Sequence, residues 1–185
     1  MKLLSVFLCT VLLSGCSSAP TNQVRYYQLA LTEPLAELSQ APITLQLKQV
    51  QVAPFLNGTG LVLRQSAVEL NIARQHLWAE PLELQLNRLL QQQLRAALPA
   101  IQFQQLPAGS LSLSIQLSQF YATEQGEAVI SGFYQLGHDA APKAQAFSYR
   151  QPLPEHGYAA MVQALSLAWQ QLVTDLSEEI LTLSI

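Results

Sequence analysis

The chain has 185 residues, half of them hydrophobic, with 11% charged residues and a formal net charge of −3. That length is one domain's worth, at about 100–200 residues per domain, and the high apolar content with low net charge excludes a disordered chain. A pI near 5.5 argues against a nucleic-acid binder, for which a domain pI above about 9 is usual, and 2 cysteines exclude a disulfide-dense scaffold.

The first segment reads as an address. Lys2 supplies a positive start, and Leu3 to Leu13 is an uncharged apolar run. That run is too short to cross a bilayer core of about 30 Å at 1.5 Å per residue, but has the length of a secretory signal. It ends in Leu13-Ser14-Gly15-Cys16, which resembles a bacterial lipobox. In such signals the Cys sulfur is lipidated, the chain is cut before it, and the new amino group is acylated. Residues 1–15 are therefore expected to be a lipoprotein signal peptide. Residues 16–23 are expected to be an acylated Cys16 and a flexible tether, and 24–185 a single domain. Cys9 would leave with the signal and Cys16 would be blocked, so no free thiol would remain for catalysis or metal binding. Several acyl chains anchor stably where one alone is marginal. Position 17 is Ser and not Asp. By resemblance to Gram-negative sorting signals, that points to the outer membrane.

Val24 to Leu31 is rich in strand formers, and Thr32 to Pro42 is a connection punctuated by proline. Ile43, Leu45 and Leu47 alternate with polar residues, then Val50 and Val52 resume on the other parity. This pattern predicts one long strand with a bulge near Lys48–Gln49. Pro54 to Gly60 reads as a turn marked by Asn57-Gly58. Leu61–Leu63 and Val68–Ile72 then read as one hairpin or one interrupted strand. Glu80 to Leu98 reads as a helix, with Leu82, Leu86, Leu89, Leu90, Leu94 and Ala97 at helical spacing. Pro81 suits its first turn, Glu80 and Glu83 suit the positive end of its dipole, and Pro99 stops it. The run Gln91-Gln92-Gln93 reads as a solvated face. Ser110 to Tyr121 is the clearest strand, with one polar and one apolar face. A turn at Glu124–Glu127 leads to strands at Ala128–Gly137 and Ala144–Arg150, and Gly132 marks a bulge or a close approach. Gly157 to Leu183 is a last helix. Two amphipathic helices and about six strands imply an α/β sandwich, with the helices packed on a mixed, largely antiparallel sheet.

Catalytic chemistry is hard to find. His76, His138 and His156 have no partners at metal-ligand spacing and read as exposed residues in loops or at element ends. His138-Asp139 is adjacent, but neighbours on a strand end point apart. There is no GxSxG elbow, no GxGxxG and no phosphate-cradling GKS or GKT motif. Asp139 and Asp175 are the only aspartates, which leaves little choice for a Ser-His-Asp set. Glu80/Glu83 and Glu178/Glu179 read as solvated helix pairs and not as a glycosidase pair. The residues thus indicate a non-catalytic protein without metal or cofactor. The corner Trp78-Ala79-Glu80-Pro81-Leu82 stands out. Trp78 there either plugs the sheet edge beside the helix start or anchors a partner.

Several segments together carry a family resemblance. They are the lipobox, Tyr26-Tyr27-Gln28-Leu29, Val50 to Leu56, Leu61 to Arg64, the Trp78–Leu82 corner, and Gly157 to Ser166 opening the last helix. With these the chain resembles the ABC-type transport auxiliary lipoprotein family, the PqiC-like lipoproteins. It departs from them at Leu56 and Leu63, where an aromatic residue is common. The resemblance implies a fold similar to the TolB N-terminal, anticodon-binding-like arrangement. It implies a non-catalytic outer-membrane lipoprotein facing the periplasm, auxiliary to an MCE-type system that moves phospholipids between membranes and supports membrane integrity. The implied partner is an MCE-domain protein, and self-association into a homo-oligomeric ring is compatible with that role. The residues carried over are Cys16 for lipid attachment and Trp78, Glu80, Pro81 and Leu82 as a docking or structural corner. A second reading is a periplasm-facing lipid chaperone that itself holds an acyl chain.

Overall fold

A computed structural model describes residues 23–30, 35–105, 107, 110–138, 142 and 144–184. The expected signal peptide, Cys16 and Asp139 lie outside these residues. The elements are β1 (Arg25–Tyr27), β2 (Ile43–Leu47), β3 (Gln51–Val52), a 3-10 turn (Pro54–Leu56), β4 (Gly60–Arg64), β5 (Leu70–Trp78), α1 (Leu82–Ala97), β6 (Ile101–Phe103), β7 (Ser112–Thr123), β8 (Glu127–Gly137), β9 (Gln145–Pro152) and α2 (Tyr158–Leu183).

The sheet is organised around β7. Along one edge it pairs antiparallel with β8, which pairs antiparallel with β9. Along the other edge lie β2, β3 and β4 in succession, all parallel to β7. β4 forms an antiparallel hairpin with β5, β1 adds in parallel to β5, and β6 adds in parallel to β2. The sheet is mixed, and its longest ladders, β7–β8 and β8–β9, are antiparallel.

The stretch from β2 to β4 is one interrupted strand. Leu47 lies opposite Leu113 and Gln51 opposite Gln116, so one extra residue is accommodated at 48–50. This is the bulge that the parity change at Val50 predicts. Backbone donors of the bulge and of β3 are taken up by α1. The Val50 N–H donates to Asn87 Oδ1 (2.9 Å) and the Val52 N–H to Glu83 Oε1 (3.0 Å). Pro54–Gly60 is an excursion and not a reversal: the chain leaves the sheet through the 3-10 turn and resumes beside β7 in the same direction. The reversal comes at the next loop, where the Gln65 N–H donates to the Glu69 carbonyl (3.0 Å). β5 runs to Trp78, well past the Val68–Ile72 segment expected as its strand.

The apolar stripe of α1 is buried at each predicted Leu, and its exposed Leu84 lies off the stripe. Pro81 sits one residue before the first helical turn, where its missing N–H costs nothing. Gln91 and Gln92 are solvated as expected, but Gln93 is only 2% exposed. It lies on the same stripe as Leu86, Leu90 and Ala97, so helical geometry carries it inward.

On the face of β7 toward the helices, Leu113, Ile115, Leu117 and Phe120 are buried, whereas Gln116 on the other face is exposed. β7 shifts register between Leu117 and Gln119, opposite Gly132. A Cβ at Gly132 would stand 2.0 Å from the Gln116 carbonyl oxygen, so only glycine fits there. α2 packs across β7, β8, β9 and α1. Two tyrosines pin it to the sheet: Tyr134 donates to Glu179 Oε2 (2.6 Å) and Tyr149 to Asp175 Oδ2 (2.5 Å).

Partial burial, then these acidic acceptors, push both phenols above their ordinary value of 10.0. A phenol with a raised folded pKa keeps its proton where the unfolded chain has lost it. Its contribution is complete below the unfolded value and disappears as pH rises through the folded one. The melting temperature is therefore expected to fall above about pH 10, and Tyr134→Phe with Tyr149→Phe should flatten that fall. Melting curves at stepped pH check this, and an unchanged slope in the double variant contradicts it.

Candidate functional site

The Trp78–Leu82 corner joins four parts of the chain. Trp78 ends β5, is 5% exposed and tilts against Phe120 with ring centroids 6.3 Å apart. Its N–H donates to the Thr59 carbonyl (2.7 Å), and the Ala79 N–H donates to the Tyr27 carbonyl (2.8 Å). Leu82 is buried, Glu80 is half-buried and pairs with Arg88, and Pro81 is exposed. The fully buried Gln85 amide ties the corner together. It accepts from the Leu29 N–H (2.8 Å) and donates to the Glu80 carbonyl (2.9 Å). A buried amide with both ends partnered holds the chain after β1 onto the start of α1. Trp78 and Leu82 thus belong to the core, and the corner's outward surface is Pro81 and the Glu80–Arg88 pair.

Next to the corner is an aromatic stack. His76 lies within β5 and is half-buried, contrary to the expectation of an exposed loop residue. Its ring stacks on Tyr158 at 3.9 Å, and its Nδ1 shares a 2.8 Å hydrogen bond with the Tyr27 hydroxyl. Pairing with Arg25 across the β1–β5 ladder fixes its place on the strand. His138 is exposed beside the Leu183 carbonyl, and His156 is exposed before α2. Among the described residues, no group of three or more His, Cys, Asp or Glu converges as metal ligands would.

Tyr158 also forms part of a cavity of about 420 Å³ at the start of α2. Leu63, Ala122, Leu153, Met161 and the Tyr158 ring supply its apolar lining, and Thr123, Glu124, His156 and the Tyr158 hydroxyl are the polar side-chain groups of the lining residues. Four elements build it. Leu63 comes from β4 and Ala122 from β7, the two paired directly across the ladder. Leu153 follows β9, where its N–H donates to the Gly126 carbonyl (2.8 Å), and Met161 lies one turn into α2. Gly157 permits the sharp entry into α2 with φ of 111°. The cavity suits an apolar ligand. No feature of the sequence singled it out.

The profile of the ABC-type transport auxiliary lipoprotein component family matches residues 27–177, from β1 into α2. The chain belongs to this family. Among curated relatives of this lipoprotein family, the Escherichia coli K12 intermembrane transport lipoprotein PqiC is 32% identical over 184 residues, 97% of this chain and 98% of that protein. The Shigella flexneri protein of the same name matches equally. Among solved structures, an uncharacterized protein is 31% identical with a TM-score of 0.73, covering 85% of this chain and 99% of its own. A Xanthomonas campestris protein shares the fold with a TM-score of 0.70 at 18% identity, over 86% of this chain and 95% of its own. The family profile takes in both the corner and the cavity of this auxiliary lipoprotein. Among the described residues, no helix is long and apolar enough to cross a membrane.

Proposed function

We propose that this auxiliary lipoprotein is held in the outer membrane through acylated Cys16, faces the periplasm, and serves an MCE-type intermembrane phospholipid transport system as a non-catalytic component. Its direct partner is an MCE-domain protein of that system. The observation that supports this reading most is the 32% identity to an intermembrane transport lipoprotein along nearly all of both chains. Residues 1–15 are removed, residues 16–23 tether the domain, and 24–185 form the working unit. The Trp78–Leu82 corner acts mainly as a structural joint in this proposal, with exposed Pro81 and the Glu80–Arg88 pair as its face toward a partner.

Sorting tests the location. On a density gradient of envelope membranes, the wild-type chain is expected with the outer membrane. Ser17→Asp is expected to move most of it to the inner membrane, because the residue after the acylated Cys is read by the sorting machinery. Wild-type chain banding with the inner membrane would reject the outer-membrane assignment. The alternative reading, a chaperone holding an acyl chain itself, draws on the cavity at the start of α2.

A further inference from the structure

We propose that the cavity beside Tyr158 takes one acyl chain of a phospholipid drawn from the membrane that anchors the protein. This rests on the reading of Cys16 as that anchor.

Its location brings it near the tether. Arg25, the first residue of β1, pairs with His76, His76 stacks on Tyr158, and Tyr158 lines the cavity. β1 runs parallel to β5, so the chain reaches Arg25 from the side of Leu70 and Asn71. Asn71 pairs with Leu63, another lining residue. Cys16 precedes Arg25 by nine residues, and a fully extended chain of that length spans at most about 30 Å. Arg25, linked to the cavity wall through His76 and Tyr158, is therefore kept within that distance of the lipid surface.

The chemistry selects the occupant. Leu63, Ala122, Leu153 and Met161 offer hydrocarbon, at a volume of about 420 Å³ that falls within the range of about 300–1,000 Å³ usual for small-molecule sites. An acyl chain buries there without bringing a polar group. An extended peptide would bring N–H and C=O groups to walls that offer them few partners. Glu124 and His156 are exposed, so a polar headgroup left outside stays hydrated.

Photolabelling tests this. The full acylated chain is placed in vesicles of phosphatidylethanolamine and phosphatidylglycerol. These carry a small fraction of phosphatidylcholine with a diazirine at the end of one acyl chain. After irradiation, labelled peptides are mapped by mass spectrometry. Label is expected on the Leu153–Met161 segment or at Leu63, and Leu153→Glu is expected to cut it at least about five-fold by charging the wall. Leu153 is half-buried and its contribution to the ladder end is through its backbone, and a melting curve checks that the variant folds. Should the variant not fold, the wild-type labelling site decides alone. Label confined to residues before Arg25, or cavity label that folded Leu153→Glu does not reduce, overturns the acyl site. Flotation with the vesicles reports separately on the anchor. A chain that does not float, with Cys16 unmodified by mass, rejects the anchor. Cavity label in that same sample still supports the acyl site, and its absence overturns it.

Discussion

Trp78→Ala is expected to lower stability by about 3–5 kcal/mol, the range for removing a large aromatic side chain from a packed core. For a domain of this size, that corresponds to a fall in melting temperature of about 6–20 °C. Trp78 is 5% exposed and packs on Phe120, so its loss leaves a void beside β7. Its backbone bond to Thr59 survives the substitution, as does the Gln85 bridge between Leu29 and Glu80. The fold should therefore persist in weakened form. Thermal unfolding followed by circular dichroism measures the shift. A melting temperature within about 2 °C of wild type would contradict the structural role, since 1 kcal/mol already shifts a domain of this size by about 2–4 °C. Loss of partner binding without any loss of stability would make the indole a docking group.

Cys16→Ala is expected to remove the chain almost completely from the outer-membrane fraction. Among the described residues, no helix is long and apolar enough to cross a membrane. Each acyl CH₂ buried in a bilayer is worth about 0.8 kcal/mol, so loss of the lipid chains removes tens of kcal/mol of nominal membrane affinity. Fractionation with immunoblotting reads the outcome, and the intact mass of the wild-type chain reads the modification. Wild-type amounts of Cys16→Ala in the outer membrane would reject lipid attachment as the anchor.

Much of this architecture is legible in the amino acids, for local reasons. Long amphipathic periods announce both helices. The alternation of Leu111, Leu113, Ile115 and Leu117 announces β7, and turn chemistry at Glu124–Glu127 announces its hairpin with β8. The bulge after Leu47 shows as a change of parity. Short strands are less visible, because three residues at Ile101–Phe103 set no period. Whether Pro54–Gly60 reverses the chain depends on a distant neighbour, since β7 offers one long edge that both β3 and β4 share. Asn57-Gly58 marks the bend without saying where the chain goes next.

The site divides in the same way. Trp78 and Leu82 stand out from composition and position alone. Gln85 and Gln93 did carry a signal: each is a polar residue at a helical interval from buried leucines. A glutamine on an apolar stripe marks a buried amide needing partners, and Gln85 finds them in Leu29 and Glu80. The His76–Tyr158 stack and the cavity had no such signal. Leu63, Ala122 and the Leu153–Tyr158 segment are far apart in the chain and meet only because β4, β7 and the connection from β9 into α2 converge.

Membership of a transport system is tested most directly by what the protein holds in the envelope. The chain, tagged at its C-terminus and recovered from envelopes in mild detergent, is expected to bring down an MCE-domain protein, identified by mass spectrometry. Untagged envelopes serve as the control. Repeated recovery of the chain with no MCE-domain protein, under conditions that preserve other envelope complexes, would contradict the auxiliary role. Phospholipid recovered with the chain in place of any such partner would move the function to lipid carriage by this domain itself.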